Sequence, residues 1–510
     1  MSFAVINSLA LNGIEAFPVQ VEVDVQNGLP SFDIVGLPSA SVREAKERVR
    51  SAIKNSGLEF PLKRITVNLA PADVKKDGSH LDLPIALGIL LSSGQIEHIQ
   101  ENTFWIGELS LEGIVKPVPG VLPMVLALAR SNSGAELILP EANGGEASLA
   151  EKPCRIVTSL NHLVESIRNE VPLPQTQEPV MTANQSAYDI DFSDIKGQFS
   201  AKRALVVAVA GGHNILLIGP PGSGKTMLAR RIPTIMPNMR REEILETTQI
   251  YSVGGLLNPD SPLITSRPFR APHRNASAAS IIGGGRVPRP GEVSLAQHGV
   301  LFMDEIPEFS REVLESMRQP LEDRVVTVTR THSTSTYPCN FMLVASCNPC
   351  PCGFFGDLER NCSCTPHQVS RYFHRISGPL MDRIDLQIEV PRVQYDHLAD
   401  HTPNQPSSEM KDQIDFARNI QAERFAGRGF CLNAEMKPRD IRAYCKVDDD
   451  GSNLLRAAFK SLGLSARGYD RILKVARTIA DLEGIKDISV THVAEAIQYR
   501  GIERRYASAM

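Results

Sequence analysis

The residues with the most specific chemistry form one continuous run, Gly219-Pro220-Pro221-Gly222-Ser223-Gly224-Lys225-Thr226. Its glycines let successive backbone N–H groups turn inward on phosphates, the lysine ammonium can bridge the β- and γ-phosphates, and the threonine hydroxyl can ligate Mg²⁺. A short apolar segment at residues 214–218 precedes the run and a helical pattern follows it. A chance glycine-rich turn, the alternative, does not explain this context. We therefore predict that the run binds ATP with Mg²⁺.

Two adjacent carboxylates, Asp304 and Glu305, follow a second apolar run at residues 300–303. Such a strand delivers Asp304 to the Mg²⁺ shell and Glu305 to the attacking water, so the pattern predicts hydrolysis as well as binding. Two solvated acids at a strand end are the alternative, and the upstream phosphate loop argues against it. Asn348 follows a further apolar strand and is predicted to orient the water and contact the γ-phosphate, although Asn-Pro is also a common turn sequence.

Five of the nine cysteines fall within residues 347–364, and four of them form two Cys-x-Cys pairs: Cys350, Cys352, Cys362 and Cys364. Four thiolates on a short loop suit a structural, tetrahedral Zn²⁺ site. The spacing departs from the commoner Cys-x₂-Cys ribbons, so the metal is inferred from the number of ligands. Cys347 is assigned to the strand before Asn348. Reduced cysteines in an apolar loop and a redox pair are the remaining alternatives.

The chain has 510 residues, which suggests about three domains at roughly 150 residues each. Its 54 basic and 58 acidic side chains give a net charge of −4, which excludes a globally basic nucleic-acid coat but allows a local basic surface. Nine cysteines are too few for a disulfide scaffold. No apolar run reaches the roughly 18 residues of a membrane helix, and the N-terminus lacks a secretory pattern. We expect a cytoplasmic protein with no membrane partner.

Composition divides the chain into four segments. They are a mixed α/β module, a proline-rich polar linker, a core that carries the phosphate loop and the paired acids, and a mostly helical end, at residues 1–170, 171–194, 195–394 and 395–510.

Within the first module, the alternating residues 19–25 and the turn Asn27-Gly28 predict a hairpin with residues 32–35. Ser41 and Glu44 form a capping-box pattern, which predicts that a helix begins there.

The order of motifs along the chain carries a specific resemblance. After the phosphate loop, the Asp-Glu strand and Asn348 come Ser370-Arg371-Tyr372 and the run RISGPLMDRIDL at residues 375–386. This order resembles the AAA+ ATPases of the magnesium-chelatase-like group, and within it the ComM/YifB family, over nearly the whole chain. The resemblance implies an N-terminal Lon-protease-like (S5-like) α/β domain, an AAA+ P-loop α/β domain with a parallel sheet, and a C-terminal helical lid.

The same resemblance implies roles for two arginines. Arg383, in the Asp-Arg-Ile-Asp motif, is similar to an arginine finger that acts on a neighbouring subunit's nucleotide. Arg467 matches the second sensor arginine of the lid. A cation supplied in trans stabilises charge on the transferred phosphoryl group and makes hydrolysis depend on assembly. The resemblance therefore implies a homo-oligomeric ring, with a hexamer expected; surface salt bridges are the alternative for both residues.

Two basic segments are predicted to contact DNA. Residues 267–291 contain five arginines and no acidic residue, and the resemblance assigns them to a hairpin inserted in helix 2, at about residues 250–291. A second hairpin is predicted at about residues 324–338. In a ring both would line the pore, where cations track phosphates without reading sequence. The side chains assigned to this contact are Arg270, Arg274, Arg286, Arg330 and His332. The alternative is that these arginines bridge subunits or contact nucleotide.

The N-terminal module resembles the proteolytic domain of Lon proteases and the matching domain of RadA-type ATPases. In an ungapped match, His80 stands where the Lon serine would be and Leu122 where its lysine would be, while Ser79 lies one position away. Serine–lysine proteolysis needs both a nucleophile and an amine base. We therefore expect this module to serve as a scaffold or DNA guide and not as a protease.

Together these patterns predict an ATP-dependent, ring-forming DNA motor, a helicase or branch-migration translocase on single-stranded or branched DNA. A role in natural transformation and homologous recombination is implied by the resemblance alone. The alternative function is a magnesium-chelatase-like ATPase that remodels proteins or inserts metal. Against it, the chain lacks an Asp-x-Ser-x-Ser metal-adhesion motif.

Overall fold

The computed structural model describes residues 3–100, 102–131, 134–176, 189–258, 261–285, 288–330, 333–357, 359–393 and 404–500. These ranges form an N-terminal α/β module, a core with a parallel sheet, and a helical lid, so the predicted fold class is confirmed. Within them, no helix combines the length and apolar character needed to cross a membrane.

The N-terminal module is built on a mixed sheet. Its strands are β1 (Phe3–Asn12), β2 (Glu15–Gln26), β3 (Ser31–Val35), β4 (Arg64–Ala70), β5 (Thr103–Trp105), β6 (Glu108–Leu109), β7 (Val115–Lys116), β8 (Glu136–Pro140) and β9 (Arg155–Val157). Its helices are α1 (Ala40–Asn55), α2 (Asp82–Ser92), α3 (Val121–Ser131), α4 (Gly144–Ser148) and α5 (Leu160–Arg168). Seven strands form one sheet in the order β3-β4-β2-β1-β5-β8-β9, and β6 pairs with β7. Alternate apolar residues of β2 and β4 pack with those of α1 and α2 into one core.

Two local predictions for this module are wrong. Strand β2 pairs with β1 and β4, whereas β3 pairs in parallel with β4, so the hairpin forms at Gly13 and not at Asn27-Gly28. A turn sequence shows where the chain reverses but not which strand lies beside it. Helix α1 is capped by Ser39, whose Oγ accepts from Val42 N, while Ser41 Oγ donates to Asp77 Oδ1 at 3.0 Å.

The core contains a five-stranded parallel sheet. Its strands, with the two hairpins beside it, are β10 (Ile215–Ile218), β11 (Phe269–Arg270), β12 (Gly283–Gly284), β13 (Arg289–Pro290), β14 (Val300–Met303), β15 (Val325–Arg330), β16 (Ser333–Pro338), β17 (Met342–Cys347) and β18 (Leu386–Glu389). The sheet order is β11-β14-β17-β10-β18. Strands β10, β14 and β17 are buried along their whole length, as expected for a parallel sheet covered on both faces.

The helices of the core flank this sheet. They are α6 (Phe199–Gly211), α7 (Lys225–Ile235), α8 (Arg241–Gly254), α9 (Ala278–Ile282), α10 (Glu292–Leu295), α11 (Arg311–Ser316), α12 (Arg318–Asp323), α13 (Pro366–Phe373) and α14 (Gly378–Met381). Strand β11 falls inside the segment predicted as an insert, yet it pairs with β14 and belongs to the sheet. A strand this short leaves little periodic pattern in the sequence.

The lid consists of α15 (Ser407–Arg424), α16 (Pro438–Tyr444), α17 (Asp449–Leu462), α18 (Ala466–Leu482) and α19 (Val490–Gln498). Buried polar contacts attach it to the core. His213 Nε2 is 2.8 Å from Thr478 Oγ1, and Arg471 forms an ion pair with Asp385. Although burial alone would raise the pKa of the Asp385 carboxyl, Arg471 and His213 keep that pKa well below its usual value. The lid and the motif at residues 375–386 are therefore joined by charge.

The structure differs from the predicted linker at both ends. Ile156 N donates to Pro174 O, and Thr176 N donates to Cys154 O, each at 2.8 Å, so the chain stays on the N-terminal sheet as far as Thr176. At the other end, Asp191 accepts a hydrogen bond from Ser407 N in the lid. Residues 177–188 lie outside the described ranges.

Among the described residues, hydrogen bonds fasten the N-terminal module to the core at two places, and an ion pair between Glu151 and Arg241 of α8 adds a further contact. Ser252 in α8 accepts a hydrogen bond from Gly120 N at 3.1 Å, and its hydroxyl donates to the buried carboxylate of Glu146. Ser335 Oγ in β16 donates to Asn12 Oδ1 at 2.8 Å beside the β1–β2 turn. The module therefore contacts both a core helix and the hairpin formed by β15 and β16.

Burial raises the pKa of the Glu146 carboxyl, so between the unfolded and folded pKa values the folded state binds more protons and the protein loses stability as pH rises. We expect the melting temperature of the wild type to fall relative to that of Glu146→Gln as the pH rises from about 4, near the ordinary glutamate pKa, toward neutrality. Melting temperatures measured across this range test the effect. The control Glu97→Gln alters an exposed acid of the same module; a pH-independent difference for Glu146→Gln would contradict the prediction.

Candidate nucleotide-binding site

The phosphate-loop sequence forms a tight turn between β10 and α7. Gly222 and Gly224 have φ values of 80° and 90°, a left-handed conformation that L side chains rarely adopt. A Cβ at Gly219 would lie 2.1 Å from Val390 O, so no larger residue fits there without movement. Helix α7 begins at Lys225, which directs its first backbone N–H groups toward the loop. The predicted run therefore has the geometry of an anion-binding helix start.

Lys225 joins the loop to the end of the neighbouring strand. Its Nζ donates to Gly219 O at 2.7 Å, to Pro220 O at 2.9 Å and to Asn348 Oδ1 at 3.3 Å. The residue is 9% exposed, and burial lowers the pKa of its ammonium. The predicted sensor residue Asn348 and the predicted phosphate-binding lysine are thus in direct contact.

Thr226 and Asp304 are also brought together. Thr226 Oγ1 donates to Asp304 Oδ2 at 3.1 Å. The other carboxylate oxygen of Asp304 accepts a hydrogen bond from Ser346 Oγ, which in turn accepts from Glu305 N at 3.2 Å. A hydroxyl and a carboxylate in contact are hard oxygen ligands of the kind that suits Mg²⁺. Ser346 orients both acids, and sequence reasoning missed it because a serine inside an apolar strand matches no motif.

Glu305 has an unusual backbone and a cationic partner. Its φ and ψ are 51° and 50°, the left-handed region. Its carboxylate accepts a 2.7 Å hydrogen bond from Arg274 Nη1, and both side chains are about half exposed. Arg274 was predicted to contact DNA, but the structure brings it to the acid predicted to activate water.

Two further arginines of the predicted insert, Arg270 and Arg267, are also paired. Arg270 makes a bidentate ion pair with Glu292, with distances of 2.7 and 2.8 Å, and this hydrogen bonding raises the pKa of the guanidinium. Arg267 pairs with Glu243 at 3.2 Å. Arg270 and Arg274 are therefore each paired with a carboxylate of this chain, and their assignment to a DNA contact stays a prediction. The charge count covered only residues 267–291, whereas Glu243 and Glu292, the partners of Arg267 and Arg270, lie outside that segment.

Arg383 and Arg467 share one carboxylate. Arg383 Nη2 forms an ion pair with one oxygen of Glu322, and Arg467 Nη2 lies 3.5 Å from the other. Glu322 belongs to α12, and its role had no sequence signal. The two arginines that the resemblance singled out are therefore neighbours on the same side of the subunit.

The two predicted hairpins exist and pack against each other. Strand β12 pairs with β13, and β15 pairs with β16. Tyr337 Oη donates to Pro288 O at 2.9 Å, and a Cβ at Gly283 would lie 3.5 Å from Val328 Cγ2. Arg286 and His332, which fall in sequence between the paired strands, are outside the described residues. Arg330 ends β15, and its side chain is likewise outside the description.

The four predicted cysteine ligands converge. The sulfur of Cys350 lies 3.3 Å from that of Cys352 and 3.7 Å from that of Cys362, and the sulfurs of Cys352 and Cys362 are 3.5 Å apart. With Cys364, all four ligand atoms lie within 4.8 Å of one another. Zn–S bonds of about 2.3 Å in a tetrahedron require similar separations. Cys347 lies in β17 and is buried. The donor set fits a thiolate-bound metal.

The described residues of the N-terminal module do not form the serine–lysine arrangement of a protease. Ser79 Oγ donates to the carboxylate of Glu108, and burial lowers the pKa of His80 to about 4. Leu122 is buried in α3. The nearby Lys76 Nζ donates to Gly36 O at 3.5 Å. These contacts favour the scaffold interpretation.

A phosphate loop at the edge of a five-stranded parallel sheet, an Asp-Glu pair and a contacting asparagine define a P-loop protein of the AAA+ class. Comparison with known families gives matches to Magnesium chelatase, subunit ChlI, over residues 191–398, to Subunit ChlI of Mg-chelatase over 21–143, and to the subunit ChlI C-terminal region over 404–500. The three matches together cover most of the chain.

Several curated proteins resemble the chain over its full length. The Competence protein ComM of Haemophilus influenzae is 43% identical over 99% of this chain and 98% of its own. YifB of Salmonella typhimurium and YifB of Escherichia coli are each 42% identical over the same shares. The chain therefore belongs to the magnesium-chelatase-like ComM/YifB family.

We expect Arg274→Ala to raise the rate of ATP hydrolysis by the protein alone, because the substitution frees the Glu305 carboxylate. The increase should be at most about fivefold, since an exposed ion pair of this kind contributes about 0.2–1 kcal/mol. Phosphate release under saturating ATP measures it. In the control Arg270→Ala, the arginine lost is bound to Glu292, and the rate should not rise. A lower rate in Arg274→Ala would instead assign Arg274 a supporting role in hydrolysis.

Proposed function

We propose that this protein is an ATP-hydrolysing motor that moves along DNA in the cytoplasm, as a helicase or branch-migration translocase in natural transformation and homologous recombination. Lys225 contacts the β- and γ-phosphates, Thr226 and Asp304 bind Mg²⁺, Glu305 activates water and Asn348 orients it. The name of its relative, a competence protein, supports a role in DNA uptake.

The observation that carries this proposal is the packing of the two hairpins. Tyr337 Oη donates to Pro288 O, and a Cβ at Gly283 would lie 3.5 Å from Val328 Cγ2, so the two hairpins lie side by side. Along the chain, Arg286 falls between β12 and β13, while Arg330 and His332 fall at the connection between β15 and β16. The second hairpin continues directly into β17, at whose end Asn348 contacts Lys225. A displacement of Asn348 at the γ-phosphate could therefore be passed through β17 to the hairpin that carries the proposed DNA contacts.

The site is shared between subunits of a ring, which we propose to be a hexamer. Arg383 acts as the finger on the neighbour's γ-phosphate, and because Glu322 holds Arg467 beside it, Arg467 acts from the same side. Glu322 pairs with both guanidiniums until a neighbour's phosphates replace it. Hydrolysis would then require assembly.

Cys350, Cys352, Cys362 and Cys364 hold a structural Zn²⁺ in this proposal. Bound metal would link the two ends of the loop and supply the local core that few apolar residues provide there.

The chelatase-like alternative rests on the family name, and dependence on DNA separates the two functions. We expect single-stranded or branched DNA to accelerate ATP hydrolysis, and a synthetic four-way junction to be unwound with ATP by the wild type but not by Lys225→Ala. Equal rates of phosphate release with and without DNA, and no junction unwinding, would contradict the motor.

Substitution of the hairpin arginines tests directly whether the hairpins contact DNA. The double variant Arg286→Ala/Arg330→Ala should bind DNA more weakly and lower the salt slope by roughly one to two units, since each phosphate contact contributes about 0.9. The matched control Arg456→Ala removes an exposed arginine from the lid and should leave the slope unchanged. An unchanged slope in the double variant would exclude these hairpins from the contact.

Mixing inactive subunits tests the shared site. Arg383→Ala should lower kcat by about 10³-fold or more, as loss of an arginine finger does, and Glu305→Gln by about 10²–10⁴-fold. Mixed together they should recover activity, because an Arg383→Ala subunit keeps an intact Glu305 and a Glu305→Gln neighbour supplies the finger. ATP turnover is measured at several mixing ratios. No recovery at any ratio would contradict action in trans.

A second mixture locates Arg467. Arg383→Ala combined with Arg467→Ala should not recover activity if both arginines act from one subunit on the same neighbour, since neither variant offers a complete pair. Recovery would show that Arg467 acts on the nucleotide of its own subunit, and would contradict the role derived from Glu322.

A further inference from the structure

The cysteine cluster lies directly against the nucleotide site. Asn348, which contacts Lys225, precedes the first ligand Cys350 by two residues. One residue earlier, Cys347 O accepts a hydrogen bond from Gly219 N at 3.2 Å. The backbone that enters the cluster is therefore bonded to the first residue of the phosphate loop.

A second contact joins the cluster to the middle of that loop. Gly353, between the two cysteine pairs, has a φ of 87°, and its N–H donates to Cys350 O at 3.0 Å. A Cβ added at Gly353 would lie 2.7 Å from Cδ and 2.8 Å from Cγ of Pro221. The turn beside Cys352 thus packs with its backbone on the phosphate loop, and it has no space for a side chain.

The far side of the turn is anchored to the sheet. Arg392, just beyond β18, lies over the Phe354 ring at 5.6 Å, and its Nε donates to Asp357 Oδ2 at 2.9 Å. Strand β18 pairs with β10, the strand that leads into the phosphate loop. The turn is therefore held between the phosphate loop and the segment that follows β18, and the cysteine pairs on either side of it would close it when a metal joins them.

We infer that metal bound by the four cysteines positions the nucleotide site, so that affinity for nucleotide depends on metal occupancy. The coupling runs through Gly353 to Pro221 and through residues 347–350 to Asn348. A cation that joins Cys350 and Cys352 to Cys362 and Cys364 fixes the turn against the loop; its removal releases that restraint. This inference rests on the proposed metal and nucleotide sites, and it adds the energetic link between them.

The experiment measures two quantities on the full-length chain: zinc per subunit by elemental analysis, and the Kd of a fluorescent ATP analogue. The wild type should contain close to one zinc per subunit. Cys362→Ser/Cys364→Ser should lose the metal and bind the analogue about tenfold more weakly. Gly353→Ala should retain the metal and still lose affinity, because the added methyl displaces Pro221. The control Cys431→Ser alters a cysteine of the lid and should change neither quantity.

Reversibility separates positioning from general unfolding. Wild-type protein stripped with a chelator should lose affinity, and added Zn²⁺ should restore it at an unchanged helical signal in circular dichroism. Full affinity in metal-free protein, or unchanged affinity in Gly353→Ala, would overturn the inference. If the wild type contains no zinc, the proposed metal site is contradicted. If the wild type binds no nucleotide, the proposed function is contradicted instead. If the double cysteine variant does not fold, the chelator experiment and the Gly353→Ala variant still test whether nucleotide affinity depends on the metal-bound turn.

Discussion

One geometric constraint underlies the site: three adjacent parallel strands, β10, β17 and β14, end at the same edge of a buried sheet. The chain turns from those ends into the phosphate loop, Asn348 and the Asp304-Glu305 pair. Ligands of open α/β sheets bind at the carboxyl ends of the strands for this reason. The hydrogen bonds among Lys225, Asn348, Thr226 and Asp304 follow from that adjacency, although the residues are far apart in sequence.

Side-chain exposure decides which of the observed ion pairs can exchange partners. The pairs Arg274–Glu305 and Arg467–Glu322 involve side chains that are about half exposed, so solvent weakens them and a phosphate can compete. The pair between Arg424 and the buried Asp481 is different, because separating it would leave a charge without solvent. Exchangeable pairs thus lie around the predicted catalytic residues, and a fixed one lies inside the lid.

Local motifs could be predicted from the sequence, and pairs across the fold could not. The phosphate loop, the Asp-Glu strand, both hairpins and the cysteine cluster each depend on residues close together in the chain. Glu292, Glu305 and Glu322 pair with arginines 22, 31 and 61 positions away, so a count of charge in one segment could not reveal that Arg270 and Arg274 are neutralised. The β1–β2 hairpin was missed for a related reason, because strand order is decided by packing and not by the turn alone.

The two attachments of the N-terminal module have a mechanical consequence. Glu146 and Gly120 bind Ser252 of α8, while Asn12 binds Ser335 of the longer hairpin. A displacement of that hairpin must therefore carry the whole module along or break these bonds. The hairpin is therefore stiffened by a folded unit that a free loop would lack.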